Sequence, residues 1–166
     1  MSKLKPIDFY FGAILSQTLI VGSRFNPSLI YDGSSKRVYS IFTDHHEYIL
    51  SMHYRGKSTT TNNTITWTLS LSAVDVMELK ENRNSGKRNI VAWILLDDKN
   101  KMSQSHVIFI ADHHLSRRNV FSEDNLGVSL TIKKHQDKND YILYSERKAM
   151  DDIPIKTTIM QALKCK

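Results

Sequence analysis

The side chains best suited to chemistry in this chain fall in one repeated tripeptide. Asp44-His45-His46 follows an apolar run that ends at Thr43, and Asp112-His113-His114 follows a second run that ends at Ala111. Carboxylate and imidazole are ordinary ligands of zinc, manganese and iron, and strand ends can gather such ligands at one edge of a sheet. Asp44, His45, His46, Asp112, His113 and His114 are therefore the candidates for holding a metal, with Mg²⁺ or Mn²⁺ as the ion if phosphate chemistry is involved. Glu47 extends the first copy and His53 lies one strand further on, so Asp44, Glu47 and His53 are the candidates for catalysis. A plainer reading stands beside this one. In the first copy Asp-His-His is a turn between strands, and in the second Asp112 is an N-cap for a short helix. Neighbouring residues of a strand point to opposite faces, which works against two adjacent histidines reaching one ion.

A second set of chemistry-bearing residues is basic. Arg37, Arg55, Lys57, Lys87, Arg88, Arg117 and Arg118 sit mainly at turns or strand ends, within a chain of 23 Lys and Arg against 17 Asp and Glu, net charge +6. Gathered on one side they would contact DNA or RNA phosphates and make binding salt-dependent. Scattered, they are a solvated rim. An acidic protein partner would meet the same charge. Tyr39, Tyr54 and Trp67 lie near some of these cations and could stack on bases, but their positions in alternating runs fit cross-strand packing better. The sequence holds no G-x-S-x-G and neither of the common glycine-rich phosphate loops.

To position these residues the chain has the resources of one ordinary domain, residues 1–166. Its 40% hydrophobic and 24% charged residues are typical of globular proteins. A single cysteine, Cys165, excludes an internal disulfide and suits a cytoplasmic protein. No apolar run is long enough to cross a membrane. The lysines and apolar residues near the start do not read as a secretory signal, because Asp8 and Gln17 interrupt them.

The elements follow from periodicity. Pro6 to Gly22 reads as a helix with Ile7, Phe11, Ile14, Leu15 and Thr18 on one face. Ser28–Tyr31 reads as a short strand. Val38–Thr43 and Tyr48–Tyr54 form a hairpin around Asp44–Glu47, and 57–63 reads as an unpacked loop. In 64–72 Ile65, Trp67, Leu69 and Leu71 alternate with hydroxyl residues, the mark of a half-buried strand. Ser72 caps a helix over Ala73–Arg83 whose buried side is Ala73, Val76 and Met77, closed by Asn84-Ser85-Gly86. Asn89–Leu96 is continuously apolar and predicts a central strand covered on both faces. His106–Ala111 is a strand, Leu126–Lys134 and Tyr141–Tyr144 make a closing hairpin, and Pro154 opens a terminal helix. The expected fold class is α+β, a mostly antiparallel sheet of about six or seven strands with helices packed on it.

Helix, three strands, helix and a further strand is similar in order to the αβββαβ core of the restriction-endonuclease-like nucleases. That resemblance covers about Ile7 to Leu96 and implies two carboxylates on Mg²⁺ with a lysine orienting water. Asp32 or Asp44 would supply the first acid. The next strand offers Glu47-Tyr48-Ile49 and Ser51-Met52-His53, neither with the lysine in register, and Lys57 lies past the strand end. The tripeptide itself is similar to the motif of the Asp-His-His phosphoesterases. Those also carry an Asp-x-Asp-Gly segment, of which Asp32-Gly33 is a fragment placed too close to Asp44, so no roles carry across. The sequence thus supports a small basic protein that binds nucleic acid or a nucleic-acid-handling protein. The alternatives are a metal-dependent nuclease or phosphodiesterase with that core, and a protein-directed inhibitor or immunity-type factor.

Overall fold

A computed structural model describes residues 5–20, 26–55, 58–96, 105–124, 126–145 and 151–164. They form four helices and ten strands: α1 Pro6–Ile20, β1 Asn26–Asp32, β2 Lys36–Phe42, β3 Glu47–Arg55, β4 Thr59–Thr61, β5 Thr64–Leu71, α2 Ala73–Asn84, β6 Arg88–Leu95, β7 His106–Ala111, α3 Asp112–Arg117, β8 Val128–His135, β9 Tyr141–Tyr144, β10 Ile153–Ile155 and α4 Ile159–Lys164. The fold class is α+β, but the strands divide into two five-stranded sheets rather than one of six or seven. The first sheet runs β1-β2-β3-β6-β7 and the second β10-β9-β8-β5-β4.

β6 explains the first sheet. Its apolar run has no solvent side because both of its faces are covered. Ile90, Ala92 and Ile94 pack toward Phe11 and Ile14 of α1 and Ile159 of α4. Val91, Trp93 and Leu95 pack the other way, against Trp67, Leu69, Leu130 and Ile132 of the second sheet. Each such side chain removed from water contributes roughly 1.5–3 kcal/mol. A strand paired on both edges and buried on both faces is the natural use of that run. β3 and β6 are parallel, with β4, β5 and α2 forming the connection between them; every other strand pair is antiparallel. The order of elements shared with the αβββαβ core is therefore present, with the β4–β5 hairpin inserted before α2.

The second sheet is two-sided in character, as the alternation in β5 requires. Trp67, Leu69 and Leu71 are buried, whereas Thr68 and Ser70 face outward and are exposed. In the core the Trp67 indole N–H donates to the Leu96 carbonyl at 2.7 Å. The two sheets are joined where the Phe109 amide donates to the Lys156 carbonyl at 3.0 Å.

Four local expectations are corrected. The segment read as a loop before β5 contains β4, because Asn62 and Asn63 adopt φ of 48° and 59° and close a two-residue hairpin. Pro154 lies inside β10, an edge strand where its missing N–H leaves no ladder bond unmade, and the last helix starts only at Ile159. On α2 the buried residues are Val76 and Leu79, while Met77 is 54% exposed. Leu126 is 82% exposed and precedes β8 instead of packing inward. The cap at Ser72 is as expected: its hydroxyl accepts from the Asp75 amide at 3.2 Å, and Asp75 accepts from the Ser72 amide at 2.9 Å. Gly22, Lys57 and Cys165 lie outside the described residues.

Candidate functional site: a basic cleft at one end of the first sheet

Two strand registers bring the separated tripeptides together. The parallel register sets Tyr48 opposite Arg88, so the turn that precedes β3 lies beside the start of β6. The antiparallel register sets Ile90 opposite Ala111, so the residues that follow β7 reach the same end. The result is a cleft of about 590 Å³ whose lining includes His46 from the first tripeptide and Asp112 and His113 from the second. Arg83 from the last turn of α2, Arg88 and Ser116 complete its polar side. Tyr48, Ile90, Ala111 and Ala162 give it an apolar wall.

The first tripeptide is held as a tight turn. The Thr43 hydroxyl accepts from the amides of His45 and His46 at 3.4 and 3.0 Å and donates to the His46 carbonyl at 2.9 Å. Asp44, His45 and His46 are exposed, and the His46 ring meets Tyr48 edge-on with centroids 6.2 Å apart. Of the three only His46 lines the cleft.

The second tripeptide is structural in two of its members. Asp112 is not an N-cap; Ala111 holds that position and makes no side-chain cap bond. The reason is a competing partner. Asn89, buried at the head of β6, donates its side-chain amide to Asp112 Oδ1 at 2.9 Å and to the Leu79 carbonyl at 2.9 Å. Arg83 Nε stands 3.8 Å from Asp112 Oδ2, while its Nη1 donates to Ser116 Oγ at 2.8 Å. His114 is buried, accepts from the Ala111 amide on Nδ1 at 3.4 Å, and has its pKa pushed down to about 4 by burial and by His113 and nearby cations. It is neutral at physiological pH. His113 packs against it with ring centroids 3.7 Å apart, and burial together with Arg117 lowers its pKa.

The remaining predicted residues divide into engaged and available. Glu47 accepts from the Ser40 hydroxyl at 2.7 Å and pairs with Lys87 at 3.2 Å; the Ser40 hydrogen bond and Lys87 together hold its carboxyl below the usual range. His53 stacks on Trp93 at 5.2 Å, away from the cleft, and burial pushes its pKa down to about 4. Arg37 lies between Asp8 and Asp32 and over the Phe11 ring. Arg118 donates to the carbonyls of Leu143 and Asp151, bracing β9 against the start of β10. Arg55 is the last residue of β3. Arg88 and Arg117 are exposed, and among the described residues neither is ion-paired with a carboxylate.

For the Mg²⁺ implied by the nuclease resemblance the fit is poor. Asp32 pairs with Arg37, Glu47 pairs with Lys87, and Asp112 is held by Asn89. Among the described residues no three His, Cys, Asp or Glu side chains are gathered to hold a metal ion. Sequence reasoning missed Arg83, Asn89 and Ser116. Asn89 carried a signal, as a polar residue opening an otherwise apolar central strand. Among the described residues no helix is long and apolar enough to cross a membrane. No protein-family model matches the chain, and neither a curated protein nor a solved structure matches it.

Proposed function

We propose that this protein binds nucleic acid and that the cleft between the two tripeptides receives one of its phosphates. The carrying observation is the convergence of Arg83, Arg88, His46 and His113, drawn from four separate segments, on one concave surface. Guanidinium groups bind phosphate oxygens in pairs, and imidazole N–H groups add further donors. The chain's overall charge of +6 favours approach of a polyanion. Ser116 and the Asn89–Asp112 bond fix the orientation of Arg83, which preorganises one of the two guanidiniums. The other, Arg88, projects from an exposed position at the head of a rigid strand.

A gel-shift titration with labelled single-stranded and double-stranded DNA and RNA tests this reading. The expected outcome is binding that weakens steeply between 50 and 200 mM salt (roughly tenfold or more if several phosphates are contacted). Arg88→Ala should weaken it by about tenfold while leaving the melting temperature unchanged. Absence of any shift at low salt would overturn the reading and turn attention to an acidic protein partner.

A further inference from the structure

The first sheet meets the second where Phe109 of β7 bridges to Lys156, just past β10, so among the described residues the outer edges of the two sheets are β1 and β4. These two edges are built differently. β4 is three exposed threonines, too short and too polar to offer a second chain much to pair with or to bury. β1 runs seven residues, of which all but Pro27 are exposed. Leu29, Ile30 and Tyr31 follow one another at 54, 57 and 54% exposure, and Phe42, across from Asn26 on β2, is 52% exposed. Edge strands are commonly guarded by lysines or other charges that repel a second strand. The only charge on β1 is Asp32 at its very end, and Arg37 already pairs with it. The longer edge is therefore apolar and unguarded by charge.

Independently of the nucleic-acid reading above, we propose that β1 pairs antiparallel with β1 of a second copy of this chain, about a twofold axis, joining two first sheets into one continuous sheet. Charge permits it. Pairing centred on Leu29 or Ile30 sets Asp32 across from Asn26 or Ser28 of the second copy, so no like charges face each other. Area favours it. At roughly 150–250 Å² per large side chain, the exposed halves of Leu29, Ile30, Tyr31 and Phe42 come to about 400 Å² per protomer and about 800 Å² for the pair. The backbone of the paired strands brings the total near the ~1,000 Å² that a specific interface needs, which fits a reversible dimer. Pro27 has no N–H to give, and the bulge between Leu29 and Tyr31 twists the edge. Both features oppose the stacking of many flat strands. A twofold pair consumes both β1 edges and leaves only the β4 threonines outside, so the assembly closes at two.

Sedimentation velocity of the full chain, without nucleic acid, over about 1 to 100 μM tests the pairing. The expected result is a monomer at the low end that moves to a dimer, and no further, as concentration rises. Ile30→Lys brings like charges close to the axis and should weaken association at least about tenfold with the melting temperature unchanged, since the side chain is exposed. Ile30→Glu should do the same, and mixing the two variants should restore a dimer, a rescue that a folding defect cannot produce. Thr59→Lys on the β4 edge should leave association as it is. A monomer at every concentration would overturn the proposal and leave the β1 edge to a partner of another kind. Association that survives Ile30→Lys, that is lost with Thr59→Lys, or that grows past two would overturn it equally.

Discussion

The two Asp-His-His segments are identical in sequence and opposite in circumstance. Residues 44–46 form an exposed turn pinned by Thr43, in which His46 meets Tyr48 edge-on and lines the cleft. Residues 112–114 begin a helix against β6 and β7 of the first sheet, where Asp112 is claimed by Asn89 and His114 is buried. The same tripeptide is thus a loop in one place and a structural joint in the other. What differs is the partner that each backbone register delivers. A motif of titratable residues acquires its chemistry from burial and neighbours, and two copies need not share a role.

That contrast can be broken or sharpened by measurement. The largest effect should come from pH. The folded-state pKa of His114, about 4, lies below its ordinary 6.5, so the unfolded chain binds the extra proton between those values. Stability is then fully present above pH 6.5 and declines as the pH falls toward 4, by up to about 3 kcal/mol for this group. His53, depressed for the same reason of burial, adds a decline in the same window. Urea midpoints between pH 7.5 and 4.5 would show it, and His114→Asn should remove part of the slope. A flat profile would mean that the two copies do not differ as described.

Next in size is Asn89→Ala, which strips the Asp112 carboxylate and the Leu79 carbonyl of a shared buried donor. Leaving such groups unpaired costs about 2 kcal/mol, readable as a shift in the urea midpoint at pH 7.5. At the small end, His45→Ala removes an exposed side chain from the first copy and should change stability by less than about 0.5 kcal/mol. A loss as large as that of Asn89→Ala would show that the exposed turn is also a joint.

Much of the fold was legible because its signals are local. The unbroken apolar run of β6, the alternation of β5 and the Ser72–Asp75 cap each announce an element within a dozen residues. The division into two sheets was not legible. β5 pairs with β8, setting Thr64 opposite His135, and nothing in either strand names the other at such a distance. β4 escaped notice because its three threonines carry no apolar contrast, and its pairing rests on the left-handed backbone of Asn62 and Asn63. The site was half legible. The tripeptides and Arg88 were singled out by residue type, but the convergence of His46, Arg88, Asp112 and His113 depends on the Tyr48–Arg88 and Ile90–Ala111 registers. Arg37, Glu47 and Arg118 looked equally suitable by sequence, and only the fold reveals the internal partners that engage them.

The parallel pairing of β3 with β6 has a consequence for how the protein is made. β3 is complete at Arg55, yet the strand that covers its open edge ends only at Leu95. On a ribosome adding about 5–20 residues per second, that edge waits roughly 2 to 8 s for its neighbour, with Leu50 and Met52 lacking the β6 side chains they later pack beside. In that interval the nascent chain is a three-stranded fragment with a sticky side. An edge of that kind is open to pairing with another chain until β6 is added.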